Sequence, residues 1–295
     1  MAKWLGNAVR GLRSFAYGPE AEGRPRVGLA LGGGFARGIA HVGVLRALEE
    51  AEIRVDYIAG TSVGALIGAA YASGATIEEM ARQGSETRFR DFGRWTLSRL
   101  GMASNERMED FLRKFTTAKY FEELKIPLSI VATDLISGES VYFSDGEIGP
   151  PMRASCAYPG LFLPVEYRNH FLVDGFLTEA VPTGAARAMG ADFVIAVHLE
   201  PGLLHQRPRN TIEVISRSFS IMQSTAKMPW PRGADVIIEP EVHDYLWDDF
   251  EKTPELIVAG NFATRSAMHL IRAGLARRSS VLRGDALTSG SSEKI

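Results

Sequence analysis

Tyr57-Ile58-Ala59-Gly60-Thr61-Ser62-Val63-Gly64-Ala65-Leu66-Ile67 sets a serine between two kinds of backbone. Residues 53–59 read as a short apolar strand, and residues 65–73 as a helix of small side chains. G-x-S-x-G at such a junction is the nucleophile elbow, whose sharp turn lifts the serine oxygen off the end of a sheet. Gly60 and Gly64 remove side chains where strand and helix crowd. The serine backbone can then hold a strained conformation. The following helix aims its N-terminal N–H groups and positive dipole end at the same point. Residues 57–77 carry no charge and are numerous enough to span a bilayer. The glycines and hydroxyls in that stretch fit a buried elbow and helix better.

Toward the N-terminus, Gly32-Gly33-Gly34-Phe35-Ala36-Arg37-Gly38 follows the apolar run 27–31. It precedes a helical pattern with Val42, Leu45 and Leu48 on one face. Consecutive glycines let backbone N–H groups point at an anion without side chains in the way. The dinucleotide fingerprint fails on register, since counting from Gly32 and Gly34 puts Arg37 where the last glycine belongs. The P-loop fails because Ile39 stands where its lysine is required after Gly38. A flexible strand–helix loop needs only one glycine. Three in a row favour an oxyanion hole, with Arg37 stabilising the loop or the charge.

Toward the C-terminus, Asp174-Gly175 ends the run Phe171-Leu172-Val173. An acyl-transfer serine needs a base to take its proton. Six histidines are present, none in a motif-like setting. His170 falls in a hairpin turn, His41 on the helix after the glycine loop, and His198 ends the apolar run 193–197. Asp174 instead follows a buried-looking strand directly, where a carboxylate is partly desolvated. Taken alone, Asp-Gly reads equally well as turn chemistry.

These residues together resemble the patatin-like phospholipase family of bacterial type, over most of the chain. The family's G-G-G-x-x-R-G loop matches Gly32 to Gly38, its G-x-S-x-G elbow Gly60 to Gly64, and its Asp-Gly motif Asp174-Gly175. Secondary matches are Ala132-Thr133-Asp134-Leu135 with Gly138, and Ala154-Ser155 leading to Pro159, Phe162 and Pro164. The resemblance implies a three-layer α/β/α fold around a central mixed, largely parallel sheet. It also implies a Ser–Asp dyad, with Ser62 as nucleophile and Asp174 as base. The oxyanion hole would be built from Gly32, Gly33, Gly34, Arg37 and Gly38. No metal or cofactor is implied. The expected chemistry is hydrolysis of acyl esters of lipids, of phospholipase A or lysophospholipase type. An acyltransferase using the same dyad and a catalytically silent lipid-binding regulator are the alternatives. A base suited to neutral pH requires burial to raise the Asp174 carboxyl by roughly 2–3 pH units, so a closed pocket holding that carboxylate near Ser62 is expected. The chain departs from the family pattern at Phe176, where a small residue is usual, and at Leu177-Thr178-Glu179-Ala180, where an asparagine is usual. Both departures bear on substrate range and rate.

Alternating strand and helix patterns support the same architecture. Strands are expected at 27–31, 53–59, 128–132, 141–143, 171–173, 193–197 and 236–238, and helices at 39–50, 65–73, 108–115 and 181–189. Residues 211–224 read as a core helix or a lid. Thr253-Pro254-Glu255 predicts a helix capped by Thr253 and running to about Arg277. The chain divides into an N-terminal segment 1–22, an acyl hydrolase domain 23–279 and a loose tail 280–295.

At 295 residues and a net charge of −2, with scattered basic residues, nothing points to nucleic acid. The one cysteine, Cys156, excludes an intramolecular disulfide framework and reads as a small apolar packing residue. Asp244, Asp248, Asp249 and Glu251 read as a solvated loop rather than a metal site. The first residues lack the apolar core and cleavage site of a signal peptide, so a cytoplasmic protein is expected. If residues 3–16 are helical, Trp4, Leu5, Ala8, Val9, Leu12, Phe15 and Ala16 share an arc of roughly 140°. Lys3, Arg10 and Arg13 lie opposite. Such a segment suits peripheral contact with a lipid interface, or packing on its own domain or a second subunit. Gly6 and Gly11 weaken the helix in each case.

Overall fold

A computed structural model describes residues 24–200, 207–225 and 230–283. The amphipathic segment expected at 3–16 and most of the tail expected at 280–295 lie outside the described residues.

Five parallel strands form the body of the main sheet: β1 (Val27–Leu31), β2 (Tyr57–Thr61), β5 (Leu128–Asp134), β10 (Phe193–Val197) and β11 (Val236–Ile238). With β6 (Ser140–Phe143), β8 (Val165–Tyr167) and β9 (His170–Asp174) the order is β11-β10-β1-β2-β5-β9-β8, β6 also pairing with β5. A second, small sheet joins β3 (Arg94–Trp95), β4 (Gly101–Ser104) and β7 (Gly160–Phe162).

Alternation along the strands splits the core into two layers. Leu29, Leu31, Ile58, Leu128, Ile130, Ile195 and Val197 face one way, toward the larger apolar cluster. That cluster takes in α1 (Ala40–Glu50), α2 (Val63–Ser73), α3 (Ile77–Glu86) and α9 (Thr253–Leu282). Ala30, Ala59, Val131, Val194 and Ala196 face the other way, against Ala185 and Ala186 of α7 (Thr183–Ala188). The remaining described α-helices are the single turn α4 (Phe89–Phe92), α5 (Met108–Leu112), α6 (Gly149–Ser155) and α8 (Thr211–Thr225). Helices on both faces of a mixed sheet give the expected three-layer architecture.

Within the uncharged stretch 57–77, β2, the elbow and α2 take residues 57–73, all buried except Val63, Tyr71 and Ser73. Among the described residues no helix is long and apolar enough to cross a membrane. Several local bounds need correction, among them the helix expected at 108–115, which ends at Leu112, and His170, which opens β9 rather than sitting in the turn. The second strand begins at Tyr57 rather than residue 53 and runs on through Thr61, because Gly60 and Thr61 pair with Ile130 and Val131. Thr253 does not cap α9: its hydroxyl donates to the Phe250 carbonyl, Lys252 is the N-cap, and the helix continues to Leu282 instead of stopping near residue 277.

Candidate active site

The pairing of β5 explains why residues 112 positions apart in sequence meet. Ile130 and Val131 pair with both β2 and β6, which therefore lie on opposite edges of β5. Ala132 and Thr133 pair with both β6 and β9, so β9 takes the edge that β2 has just left. β2 ends at Thr61 opposite Val131, and β9 ends at Asp174 opposite Ala132. The two strands run toward each other on one edge and stop at consecutive partners. Ser62 and Asp174 are the residues at those two ends.

Ser62 has φ +57° and ψ −127°, a conformation that a side-chain-bearing residue rarely adopts. The strain is held by a relay. The Ser62 N–H donates to Ser155 Oγ at 2.8 Å, and that hydroxyl donates to the Val131 carbonyl at 2.6 Å. Gly64 is required because a Cβ there would strike the carbonyls of Leu31 and Gly32. Gly60 lies one residue before the end of β2.

Asp174 is 1% exposed, and its Oδ1 accepts from the Phe176 N–H at 3.0 Å. Burial pushes its carboxyl up to about 7, and the Phe176 N–H and the nearby Ser62 hydroxyl offset only part of that rise. Its backbone is held as well: Thr133 Oγ1 donates to the Asp174 carbonyl at 3.0 Å, and the Asp174 N–H donates to the Ala157 carbonyl at 3.0 Å. Gly175 is required next, since a Cβ would strike the Val131 carbonyl. Val131 thus props both ends of the pair.

The glycine loop follows β1 and runs into a short 3-10 turn, Phe35–Ile39. His41, fully buried, donates from Nε2 to the Gly32 carbonyl at 2.8 Å, and burial pushes its pKa down to about 4. It is a structural, neutral histidine. The expected set of oxyanion donors narrows here. The Gly32 N–H bonds the Val197 carbonyl at 3.1 Å and the Gly33 N–H bonds the Ala180 carbonyl at 3.2 Å. Both donors are spent on fixing the loop. The N–H groups of Gly34 and of Val63, the residue after the serine, have no hydrogen-bond partner among the described residues. Arg37 Nε donates to the Gly34 carbonyl at 3.3 Å, and burial pushes the guanidinium down to about 10. Gly38 packs its bare Cα against the Val63 side chain.

Two pockets meet at Ser62. One is walled by Val63, Leu66, Ile67, Met80, Phe111 and Phe115. The other holds Gly33, Gly34, Arg37, Asp174, Ser216 and Ser220. Phe176 lies on the polar side, its ring 5.8 Å from those of Tyr158 and Phe219. Cys156 lines the apolar cavity beside Ser62; burial, and then the nearby Asp174, raise its thiol well above the usual range, which leaves it a poor nucleophile. His198 lines the polar pocket with Nδ1 committed to Glu239 at 3.0 Å, and His170 pairs with Asp134. Among the described residues no cluster of three metal-ligating side chains exists. Sequence reading passed over Thr133 and Ser155 as supports; both fall in the secondary motif matches, which was the available signal.

The patatin-like phospholipase family model matches residues 29–187, a span that contains the glycine loop, the elbow and Asp174. An uncharacterized NTE family protein of Mycobacterium tuberculosis is 38% identical over 178 residues, covering 59% of this chain and 49% of that protein. A second from the same organism is 30% identical over 274 residues, covering 82% of this chain and 46% of that protein. Patatin-like phospholipase domain-containing protein 6 of Mus musculus is 34% identical over 184 residues, covering 58% of this chain and 13% of that protein. The chain spans about half the length of the mycobacterial relatives. With more than half of its residues matched by the family model, the chain belongs to the patatin-like phospholipase family.

Proposed function

We propose that this chain is a lipid acyl hydrolase that works through a Ser62–Asp174 dyad. The observation that carries the reading is the placement of a strained serine and a buried carboxyl at the ends of β2 and β9, which stop at consecutive partners on β5 and share one pocket; burial pushes that carboxyl up to about 7. A base of that strength is half ionised at neutral pH and can take a proton from an attacking hydroxyl. Asp174 accepts the Ser62 proton as Oγ attacks the ester carbonyl carbon. The developing oxyanion is met by the N–H groups of Gly34 and Val63, which are unspent. Asp174 then returns the proton to the leaving alcohol, and the acyl-enzyme is cleaved by a water that passes its proton to the same carboxylate. Gly32 and Gly33 hold the loop in place for this. Arg37 braces it through Gly34.

Hydrolysis of a panel of lysophospholipids, phospholipids and p-nitrophenyl esters tests the reading. Ser62→Ala is expected to abolish release of fatty acid, by a factor on the order of 10⁶ or to the limit of detection. Activity that survives in folded Ser62→Ala protein assigns the nucleophile elsewhere. Acyl transfer to an added alcohol in preference to water would replace hydrolase by acyltransferase.

A further inference from the structure

The β3–β4 hairpin is unlike the rest of the surface. Arg94 pairs with Ser104 and Trp95 with Ala103, and the tip is fixed where the Leu100 N–H donates to Ser98 Oγ at 3.1 Å. On and beside that ordered tip, Trp95 is 63% exposed, Leu100 61% and Leu97 fully so. Three large apolar side chains within six residues do not fold outward for stability: each leaves area in water that burial would recover. Arginines flank them in the chain. Arg88, Arg90, Arg94, Arg99 and Arg107 are all exposed, against only Asp91 and Glu106 in the same span. Arg90 and Arg99 have no acidic partner among the described residues.

The hairpin is also tied to the apolar cavity. The Trp95 indole stacks on Phe89 at 5.0 Å, and Phe89 stacks on Phe162 at 5.9 Å. Phe162 is a wall of the cavity that reaches Ser62. Three rings therefore connect the exposed tip to the space beside the serine.

We propose that the β3–β4 hairpin is the surface by which this protein docks on an anionic lipid bilayer, with Trp95, Leu97 and Leu100 inserted at the interface and the arginines on the headgroups. Trp and Leu at an interface bury their apolar bodies while flanking cations meet anionic headgroups. This delivers the apolar cavity to the layer that holds acyl chains. The inference draws its purpose from the acyl-hydrolase reading, but its test does not need turnover. It is separate from any lipid contact made through residues 3–16.

The full-length chain carrying Leu97→Cys is labelled with an environment-sensitive fluorophore. Cys156 is buried with its thiol pKa raised, so the label goes to position 97. Vesicles of phosphatidylcholine with about 30% phosphatidylglycerol, whose anionic surface attracts basic segments, are expected to shift the emission to the blue and to allow quenching by brominated acyl chains. Sedimentation with the same vesicles is expected to fall at least tenfold in Leu97→Ser/Leu100→Ser protein. A drop of about fivefold for each of Arg90→Ala and Arg99→Ala is expected, eased by salt. Unshifted emission at saturating lipid, wild-type binding by the double variant, or equal binding to neutral vesicles each overturns the proposal. Ser62→Ala protein should bind as wild type does. An inactive wild type that still docks through the hairpin would defeat the hydrolase reading alone.

Discussion

The two pockets beside Ser62 are built from different material. The apolar one lies within the large core layer, between α2, α3 and the aromatic side chains of α5, so its walls are the protein's own packing. The polar one is assembled at the carboxyl ends of β1, β9 and β10, from loop backbone, Asp174 and the hydroxyls of α8. A substrate bridging them would place an acyl chain in the first and its alcohol in the second, with the ester at the junction. On the proposed function, strand ends would supply the chemistry and helix packing the measure of the chain. Such a division implies that the two sides can be perturbed separately.

The largest effect belongs to the polar side. Asp174→Asn is expected to reduce kcat/KM by roughly 10²–10⁴ fold. In wild type, kcat/KM should rise with pH and level off above about 7, where the carboxyl has lost its proton. The same substitution should stabilise the fold. Because burial raises the native pKa, the folded state holds its proton more tightly than the unfolded chain does. That stability is complete below about pH 4 and is lost as pH rises to about 7, on the order of 4 kcal/mol. Melting curves should therefore show Asp174→Asn more stable than wild type at pH 8, with the gap closing toward pH 4. Equal curves at pH 8 would mean that the carboxyl is not held near 7.

Ser155 stands behind the junction itself. Ser155→Ala strips the Ser62 N–H and the Val131 carbonyl of a shared partner, and a buried unsatisfied group costs about 1–3 kcal/mol. The strained elbow should relax, with kcat falling ~10–100 fold and KM little changed, as for a misplaced reacting group. Ser155→Thr keeps the hydroxyl and should recover much of the loss. A Ser155→Ala enzyme with full kcat would show that the elbow holds without its prop.

How legible all this was follows the reach of each signal. The elbow, the glycine loop and the Asp-Gly turn are local, with the turn chemistry and the flanking strand written within a few residues. The strands were legible because buried parallel strands are continuous apolar runs. What escaped depends on contacts distant in sequence. Ser155 lies 93 residues from the backbone it supports; the Ala154-Ser155 match marks the residue, but not its partner. The donors of the glycine loop could not be sorted either, since Gly32 and Gly33 are claimed by Val197 and Ala180, which a local motif does not see. The short strands β3, β4 and β7 pair only with one another and carry no long apolar run to mark them. Thr253 failed as a cap because the chain had already turned at Phe250.

On the apolar side, Ile67→Phe tests whether the cavity measures the chain. Ile67 is buried in the wall, and a larger ring there shortens the space without touching the dyad. Esters of long acyl chains should lose about tenfold in kcat/KM, within the range that apolar pockets usually discriminate, while butyrate esters should hold within about twofold. A uniform loss across chain lengths would place the acyl chain elsewhere.

The smallest effect separates the alcohol from the acyl group. Ser216 and Ser220 lie one turn apart on α8 in the polar pocket, and Ser220 Oγ donates to the Ser216 carbonyl at 3.0 Å. Two substrates sharing an acyl chain form the same acyl-enzyme, so water meets an identical intermediate in both. Any difference between them arises before the alcohol leaves. Ser216→Ala/Ser220→Ala should therefore lower kcat/KM for a lysophospholipid by about threefold to tenfold, in keeping with one or two neutral hydrogen bonds. The p-nitrophenyl ester of the same acid carries no polar headgroup for those hydroxyls and should be nearly unaffected. If both substrates fall together, the hydroxyls serve the loop or the helix rather than the alcohol, and the polar pocket is part of the dyad's support instead of a second binding site.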